Sequence, residues 1–332
     1  MLRNKLEEKV SRWSTFSPPG EPDFSHINLQ VQFLEDRLFF DYEPTKGPYP
    51  EFWPRLEAWI ENFDDEQDQK TAFQLIPRLF YIGQEEFNTL YRVAVNGPVA
   101  RWLIQLLNLM FDAPDSDRLL REAFKKTWFC PVTDSMRING FYHLNGITTG
   151  HNLRPDWLTL SKIGDTEATK KYITDNSIEY IVLLEDFVGS GSQISAAISY
   201  AADLADEMGK KVLLLPMIIC PKGVSNFNSM VKKHNNLTFE SVIELKQTDF
   251  IPPTSTTAEH ELSDQLRPVL RHTFDKVRGH SGSFAEAPYT PFGYRDTGGL
   301  VVMFSNCPDN TLPIVHHSSI TWHPLFPRRS RI

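Results

Sequence analysis

From residue 127 onward the chain alternates short apolar runs with amphipathic stretches, and this alternation constrains the fold more than any other feature. Residues 180–184 have the length and character of a strand buried on both faces. Ile194, Ala197, Ile198, Ala201, Leu204, Ala205 and Met208 then mark one face of a helix that Gly209 closes. A second apolar run, 212–219, follows, and Pro216 within it points to an edge or a strand end. A helix over 224–234 and an alternating run, Leu237, Phe239, Ile243 and Leu245, complete the series. Strand, helix, strand, helix, strand is the pattern of an α/β parallel sheet.

The stretch before it reads as helix. Leu2, Leu6, Val10 and Trp13 form a short amphipathic stripe, which packs on its own domain or docks on a partner. Residues 16–50 hold six prolines and read as loop and short extended pieces. Phe52, Leu56, Trp59, Ile60 and Phe63 share a helical face. Asp64, Asp65 and Asp68 open the next helix, which carries Phe73, Ile76, Leu79 and Phe80 inward and meets Pro77. Phe87, Leu90, Tyr91 and Val95 make another face, ended by Asn96-Gly97-Pro98. After 250 the pattern loosens into a helix over 262–277, a glycine-rich loop over 279–299, a strand over 300–304 and a proline-rich tail. The expected organisation is a helical region, 1–125, an α/β core, 126–250, and an irregular C-terminal cover and tail, 251–332.

Composition excludes several classes. With 42 acidic and 34 basic residues the formal net charge is −8, which argues against a nucleic-acid coat protein. No apolar run approaches the ~20 residues that span a bilayer. The three cysteines, 130, 220 and 307, lack metal-type spacing and read as thiols of a reduced, cytoplasmic chain. His316, His317 and His323 have no acid or cysteine at ligand spacing, which argues against a metal site there. The arginines that close the chain read as a solvated end or as a contact for an acidic partner.

The chemistry concentrates after the run 181–184, in Glu185-Asp186-Phe187-Val188-Gly189-Ser190-Gly191-Ser192-Gln193. A buried strand delivers two carboxylates to its C-terminal end, where open α/β sheets hold their ligands. A turn of small residues then runs into a helix. Backbone N–H groups of Gly189, Ser190, Gly191, Ser192 and Gln193, with the two serine hydroxyls, suit a phosphate. Glu185 and Asp186 beside a phosphate suit ribose hydroxyls and a bridging Mg²⁺. A P-loop is excluded, since Ser192 stands where its lysine would be, and a dinucleotide fingerprint fails at Ile194. The glycines lack the register of a nucleophile elbow around either serine. The plain alternative is a capped strand–helix turn with solvated acids.

Residues 185–193, with the apolar strand before them, resemble the 5-phosphoribosyl-1-pyrophosphate (PRPP) motif of type I phosphoribosyltransferases. Ser190 and Gly191 match that pattern, Glu185 replaces its first Asp, and Gln193 departs from its final hydroxyl residue. More narrowly, Arg101-Trp102, Asn310-Thr311-Leu312-Pro313 and the tail from Trp322 to Arg328 are similar to phosphoribosyltransferase-like proteins of bacterial conflict, or antiphage defence, systems. The resemblance implies a type I phosphoribosyltransferase-like parallel-sheet core with a helical N-terminal region and an irregular C-terminal cover. It further implies PRPP or a nucleotide as ligand, with Mg²⁺ carried by that ligand near Glu185 and Asp186 rather than held directly by the protein. The implied activity is phosphoribosyl transfer or scission of a ribosyl–base bond, by an effector acting with other proteins of the system. A nucleotide sensor without catalysis and a scaffold subunit are the alternatives. By position in that fold, 127–131 would be the first core strand and 132–137 the pyrophosphate loop, with Asp134 and Arg137 in it, although Arg137 also reads as a surface residue. Lys222, just past a strand end, would face the same site. Tyr294-Arg295-Asp296 reads either as a mobile cover or as ordinary packing.

Overall fold

The computed structural model describes residues 5–15, 20–45, 49–110, 112–148, 153–279 and 289–329. The chain divides into two compact units, Met1–Gln84 with Gln247–Ile332, and Glu85–Lys246. The three expected segments therefore regroup. Residues 85–125 fall with the sheet, and 251–332 with the N-terminal helices.

The first unit begins with α1 (Lys5–Thr15), whose Leu6, Val10 and Trp13 are buried as the stripe requires. Where loop and short extended pieces were expected over 16–50, α2 (Phe24–Arg37) occupies the middle of the proline-rich stretch. The prolines lie at 18, 19 and 22 and again at 44, 48 and 50, so they bracket a proline-free run rather than interrupt it. Asp23 caps that run, its carboxylate accepting the N–H groups of Ser25 at 3.0 Å and His26 at 3.2 Å. Helices α3 (Phe52–Glu61) and α4 (Glu66–Leu75) follow, with Asp65 capping α4. Pro77 ends α4 in a short 3₁₀ turn, and β1 (Phe80–Ile82) comes next. As a strand residue Phe80 turns outward, 36% exposed, against the inward expectation from helical spacing.

The second unit opens with α5 (Gln84–Ala94) and α6 (Ala100–Leu106). Asn96-Gly97-Pro98 does not end the helix, as the sequence suggested, but sits in a π-turn, Val95–Val99, that joins the two. In an α-helix Pro98 would leave a carbonyl without its donor and press its ring on the preceding turn; the widened turn relieves both. Then come α7 (Ser116–Lys125), β2 (Thr127–Pro131), α8 (Ile138–Leu144), α9 (Trp157–Ile163) and α10 (Thr166–Asp175). The series closes with β3 (Tyr180–Val188), α11 (Ser195–Glu207), β4 (Lys211–Ile219), α12 (Pro221–Val231), β5 (Leu237–Phe239) and β6 (Ile243–Glu244).

The strands form one five-stranded parallel sheet in the order β2-β3-β4-β5, with β6 beside β4. Pro216 sits inside β4, which is central and not an edge strand. The Pro216 carbonyl accepts the Val242 N–H at 3.1 Å, in the gap where β5 has ended and β6 has not begun. A residue's N–H and C=O point to the same side of a strand, so the missing donor falls where the ladder is already interrupted. One face of the sheet buries Trp157 of α9, Ile173 of α10, Ile198 of α11 and Phe227 of α12. On the other, Phe129 stacks near Phe141 and Tyr142 of α8, and Trp102 of α6 meets Tyr180 edge-on. Covered on both faces, the strands can be apolar throughout.

The first unit resumes with α13 (Ser263–Arg278), β7 (Tyr289–Thr290), β8 (Gly293–Tyr294), β9 (Val301–Met303) and α14 (Pro313–His316). The stretch 279–299 is thus a hairpin at its end, while 280–288, like Leu2 and Arg331, lies outside the described residues. β9 pairs in parallel with β1. The proline-rich tail is core: Trp322, Leu325 and Phe326 are fully buried. The indole N–H groups of Trp59 and Trp322 both donate to the Ile314 carbonyl, at 2.6 and 3.0 Å, and the Arg55 guanidinium donates to the Leu325 carbonyl at 2.6 Å. Arg328 pairs with Asp309 at 3.5 Å and Arg329 donates to the Glu43 carbonyl, so these two arginines are engaged within the unit. Among the described residues no helix is long and apolar enough to cross a membrane.

Candidate functional site

The site is built where two neighbouring strands end at different heights. β2 stops at Pro131, opposite Leu184, while β3 continues four residues further. The last ladder bond runs from the Val132 N–H to the Leu184 carbonyl at 2.8 Å. Beyond it the β2–β3 pairing has ended, and the Glu185 side chain takes the place of a ladder partner for the loop 132–137. Its Oε2 accepts the Thr133 N–H at 3.0 Å. Its Oε1 lies 2.6 Å from the Thr133 hydroxyl and 3.1 Å from that of Ser135. Glu185 is only 4% exposed. Burial first, and the Asp186 charge second, push its carboxyl up to about 8, against the Thr133 and Ser135 bonds that favour the anion.

Asp186 is half-buried. Its Oδ1 accepts the Ser135 hydroxyl at 3.0 Å and the Phe187 N–H at 2.8 Å. Tyr91 of α5 belongs to the same neighbourhood: burial raises its hydroxyl's pKa, the Asp186 charge adds to this and that of Arg137 opposes it. Its ring meets Phe141 edge-on at 5.6 Å. Asp134 and Arg137 are exposed on the loop.

Past Val188 the chain turns as expected, and α11 starts at Ser195, two residues after Gln193. The Gly191 carbonyl accepts the N–H groups of Ile194 and Ser195, at 3.2 and 3.1 Å, and the Ser195 hydroxyl at 2.8 Å. The hydroxyls of Ser190 and Ser192 lie 3.0 Å apart, and Ser192 and Gln193 are exposed. From the other side α12 braces the turn. The Asn226 amide donates to the Ser190 carbonyl at 3.1 Å and to the Ser195 hydroxyl at 2.9 Å, and Gly223 passes so close that a Cβ would lie 2.8 Å from the Gly189 carbonyl. Lys222 is exposed in the first turn of α12, at the C-terminal end of β4, and its charge lowers the Cys220 thiol against the burial that raises it.

The candidate residues thus gather at the C-terminal ends of β2, β3 and β4. Glu185, Asp186 and the 132–137 loop meet directly; Gly189, Ser190, Gly191, Ser192 and Gln193 continue the same strand; Lys222 follows the next strand. Asp134 and Arg137 share the loop, while Thr133 and Ser135 make its contacts to the carboxylates. Asn226 and Tyr91 carry no motif. Only the adjacent Lys222-Gly223, just past a strand end, pointed toward α12. Glu185 differs from expectation, because both its oxygens are taken up by the loop. Chemically the arrangement offers one part-exposed carboxylate, a turn rich in N–H and hydroxyl groups at a helix start, and an exposed cation on each side.

Gly191 has a φ of +73°, and a Cβ there would lie 2.7 Å from the ring of the fully buried Phe227. A Gly191→Val change therefore cannot act on ligand approach alone. We expect it to destabilise the chain by about 2–4 kcal/mol through left-handed strain and overpacking. A urea midpoint equal to that of the unaltered protein would mean the turn can move aside.

Neither a curated protein nor a solved structure matches the chain. A family model, however, matches residues 56–328, spanning the sheet, the carboxylate strand and the buried tail. The chain is a phosphoribosyltransferase-like protein and belongs to the PRTase-CE family.

Proposed function

We propose that the protein binds PRPP or a related nucleotide at the C-terminal ends of β2, β3 and β4 and transfers a phosphoribosyl group, or breaks a ribosyl–base bond. The observation that carries this reading is the staggered end of β2 and β3, which supports a diphosphate loop, a carboxylate and a phosphate turn within one site. The 189–193 turn would anchor the 5-phosphate through backbone N–H groups and the Ser190 and Ser192 hydroxyls. Asp186 would meet the ribose hydroxyls and favour the positive charge that develops on the ring as the bond breaks. Arg137 and Lys222 would face the departing diphosphate.

Among the described residues, no group of three His, Cys, Asp or Glu side chains is placed to hold an ion. Mg²⁺ would arrive on the diphosphate as part of the ligand, keeping its waters and neutralising charge there. The narrower resemblance supports a role as an effector of a bacterial defence system, acting in the cytoplasm with other proteins of that system. A binding-only role, as a sensor or scaffold, has one observation in its favour: the withdrawal of Glu185 from the open side of the site.

The test is to incubate the purified chain with PRPP and Mg²⁺, alone and with nucleotides or RNA, and to follow pyrophosphate and binding. We expect saturable binding and pyrophosphate release in the presence of an acceptor. Absence of binding to both PRPP and nucleotides removes the proposal.

A further inference from the structure

Two carboxyl groups and two hydroxyls form one chain of contacts at the end of β3. Glu185 Oε1 to Thr133 Oγ1 is 2.6 Å, Thr133 Oγ1 to Ser135 Oγ is 2.7 Å, and Ser135 Oγ to Asp186 Oδ1 is 3.0 Å. Each contact has hydrogen-bond length and needs a hydrogen between its oxygens. A fourth contact, Ser135 Oγ to Glu185 Oε1, is the longest at 3.1 Å and can share the Ser135 hydrogen. The two hydroxyls supply only two hydrogens for the three shorter contacts. With both carboxyls ionised, one contact would bring two bare oxygens together. A third hydrogen completes the chain, and the buried carboxyl is the place for it. Protonated Glu185 donates to Thr133, Thr133 donates to Ser135, and Ser135 donates to Asp186.

We infer that Thr133 and Ser135 form a hydroxyl relay through which Glu185, carrying a proton, latches the 132–137 loop and leaves the pair's single negative charge on Asp186. Glu185 is then a positioning residue, and Asp186 the carboxylate turned to the ligand. This deepens the reading above and rests on it for the ligand, but the latch stands on the protein's own contacts. The raised pKa of Glu185 has the direction the relay requires. Around the pair lie Asp134 and Arg137 of the loop and Tyr91 of α5, whose hydroxyl feels Asp186 and Arg137 together. The Thr133 N–H bond to Oε2 ties the loop backbone as well as its side chains, so the latch holds where the β2 ladder has ended.

The experiment needs no ligand. Isotope-edited infrared spectra of the free protein near pH 7 should show a protonated carboxyl band that Glu185→Gln removes and Thr133→Val shifts. Amide exchange of residues 133–137 should quicken roughly tenfold or more in Thr133→Val and Glu185→Ala, the scale expected for losing a buried bonded partner. It should stay within about threefold in Thr133→Ser, which keeps the hydroxyl, and in Glu185→Gln, which mimics the protonated acid. Absence of the band, or exchange in Glu185→Gln as fast as in Glu185→Ala, overturns the relay. PRPP titration of the same samples is the separate arm. If the unaltered chain fails to bind while band and exchange behave as stated, the ligand assignment falls and the latch remains.

Discussion

An Asp186→Asn variant is expected to release pyrophosphate from PRPP roughly 100 to 1,000 times more slowly, with its PRPP affinity changed by less than about tenfold. Breaking the bond at the ribose anomeric carbon leaves positive charge on that carbon and the ring oxygen. A carboxylate at the hydroxyl edge of the sugar stabilises that state more than the bound ground state, so its loss appears in rate more than in affinity. The phosphate contacts, drawn from backbone N–H groups and hydroxyls of 189–193, do not use this charge. Asn keeps the size of the side chain and an oxygen for the Ser135 hydroxyl, which lies 3.0 Å from Asp186 Oδ1. If Glu185 is turned to the loop, adding Glu185→Gln should deepen the loss by less than about threefold, since no second ligand contact is removed. A protein that only senses a nucleotide has no such state to stabilise, and the loss would then appear in binding alone. Pyrophosphate release at an undiminished rate in Asp186→Asn would hand the site to the binding-only reading.

Much of the sheet unit is legible in the letters. The runs 127–131, 180–184 and 212–219 lie within or coincide with β2, β3 and β4, because strands covered on both faces leave no room for polar residues. The helix after the serine turn is equally plain from its apolar stripe. What was hidden depends on partners distant in sequence. Glu185 and Asp186 are adjacent letters and both reach Ser135, yet only Glu185 is buried against the loop. Which of them turns inward is decided by where β2 stops, 54 residues earlier in the chain than Glu185 (185 minus 131). Asn226 reaches the Ser190 carbonyl from α12, and no periodicity marks a lone Asn. Helix α2 was masked by prolines that turn out to bracket it. The tail looked loose because its order comes from Arg55, Trp59 and Asn62, more than 250 positions away, which bond its backbone carbonyls.

The relay also fixes how stability should respond to pH. The Glu185 carboxyl has an ordinary value of 4.5 and is held at about 8 in the fold, by burial and then by Asp186. Between those values the folded chain keeps a proton that the unfolded chain has shed, so stability must fall as pH rises through this window. Below it both states are protonated and above it both are ionised, so the contribution is flat at each end. Buried His316 and half-buried His317 act with the opposite sign: desolvation depresses His316 to about 3 and His317 to about 4, so they weaken the fold as pH drops below their ordinary 6.5. The raw profile is therefore a mixture, and the Glu185 part appears only in the difference between two proteins. We expect Glu185→Gln to gain on the unaltered chain by roughly 1 kcal/mol per pH unit between about 5 and 8, with no further gain above that. Urea midpoints followed across this range in both proteins measure it. A difference that does not change with pH would mean that Glu185 is already ionised in the folded state, and the third hydrogen of the relay would have to come from elsewhere.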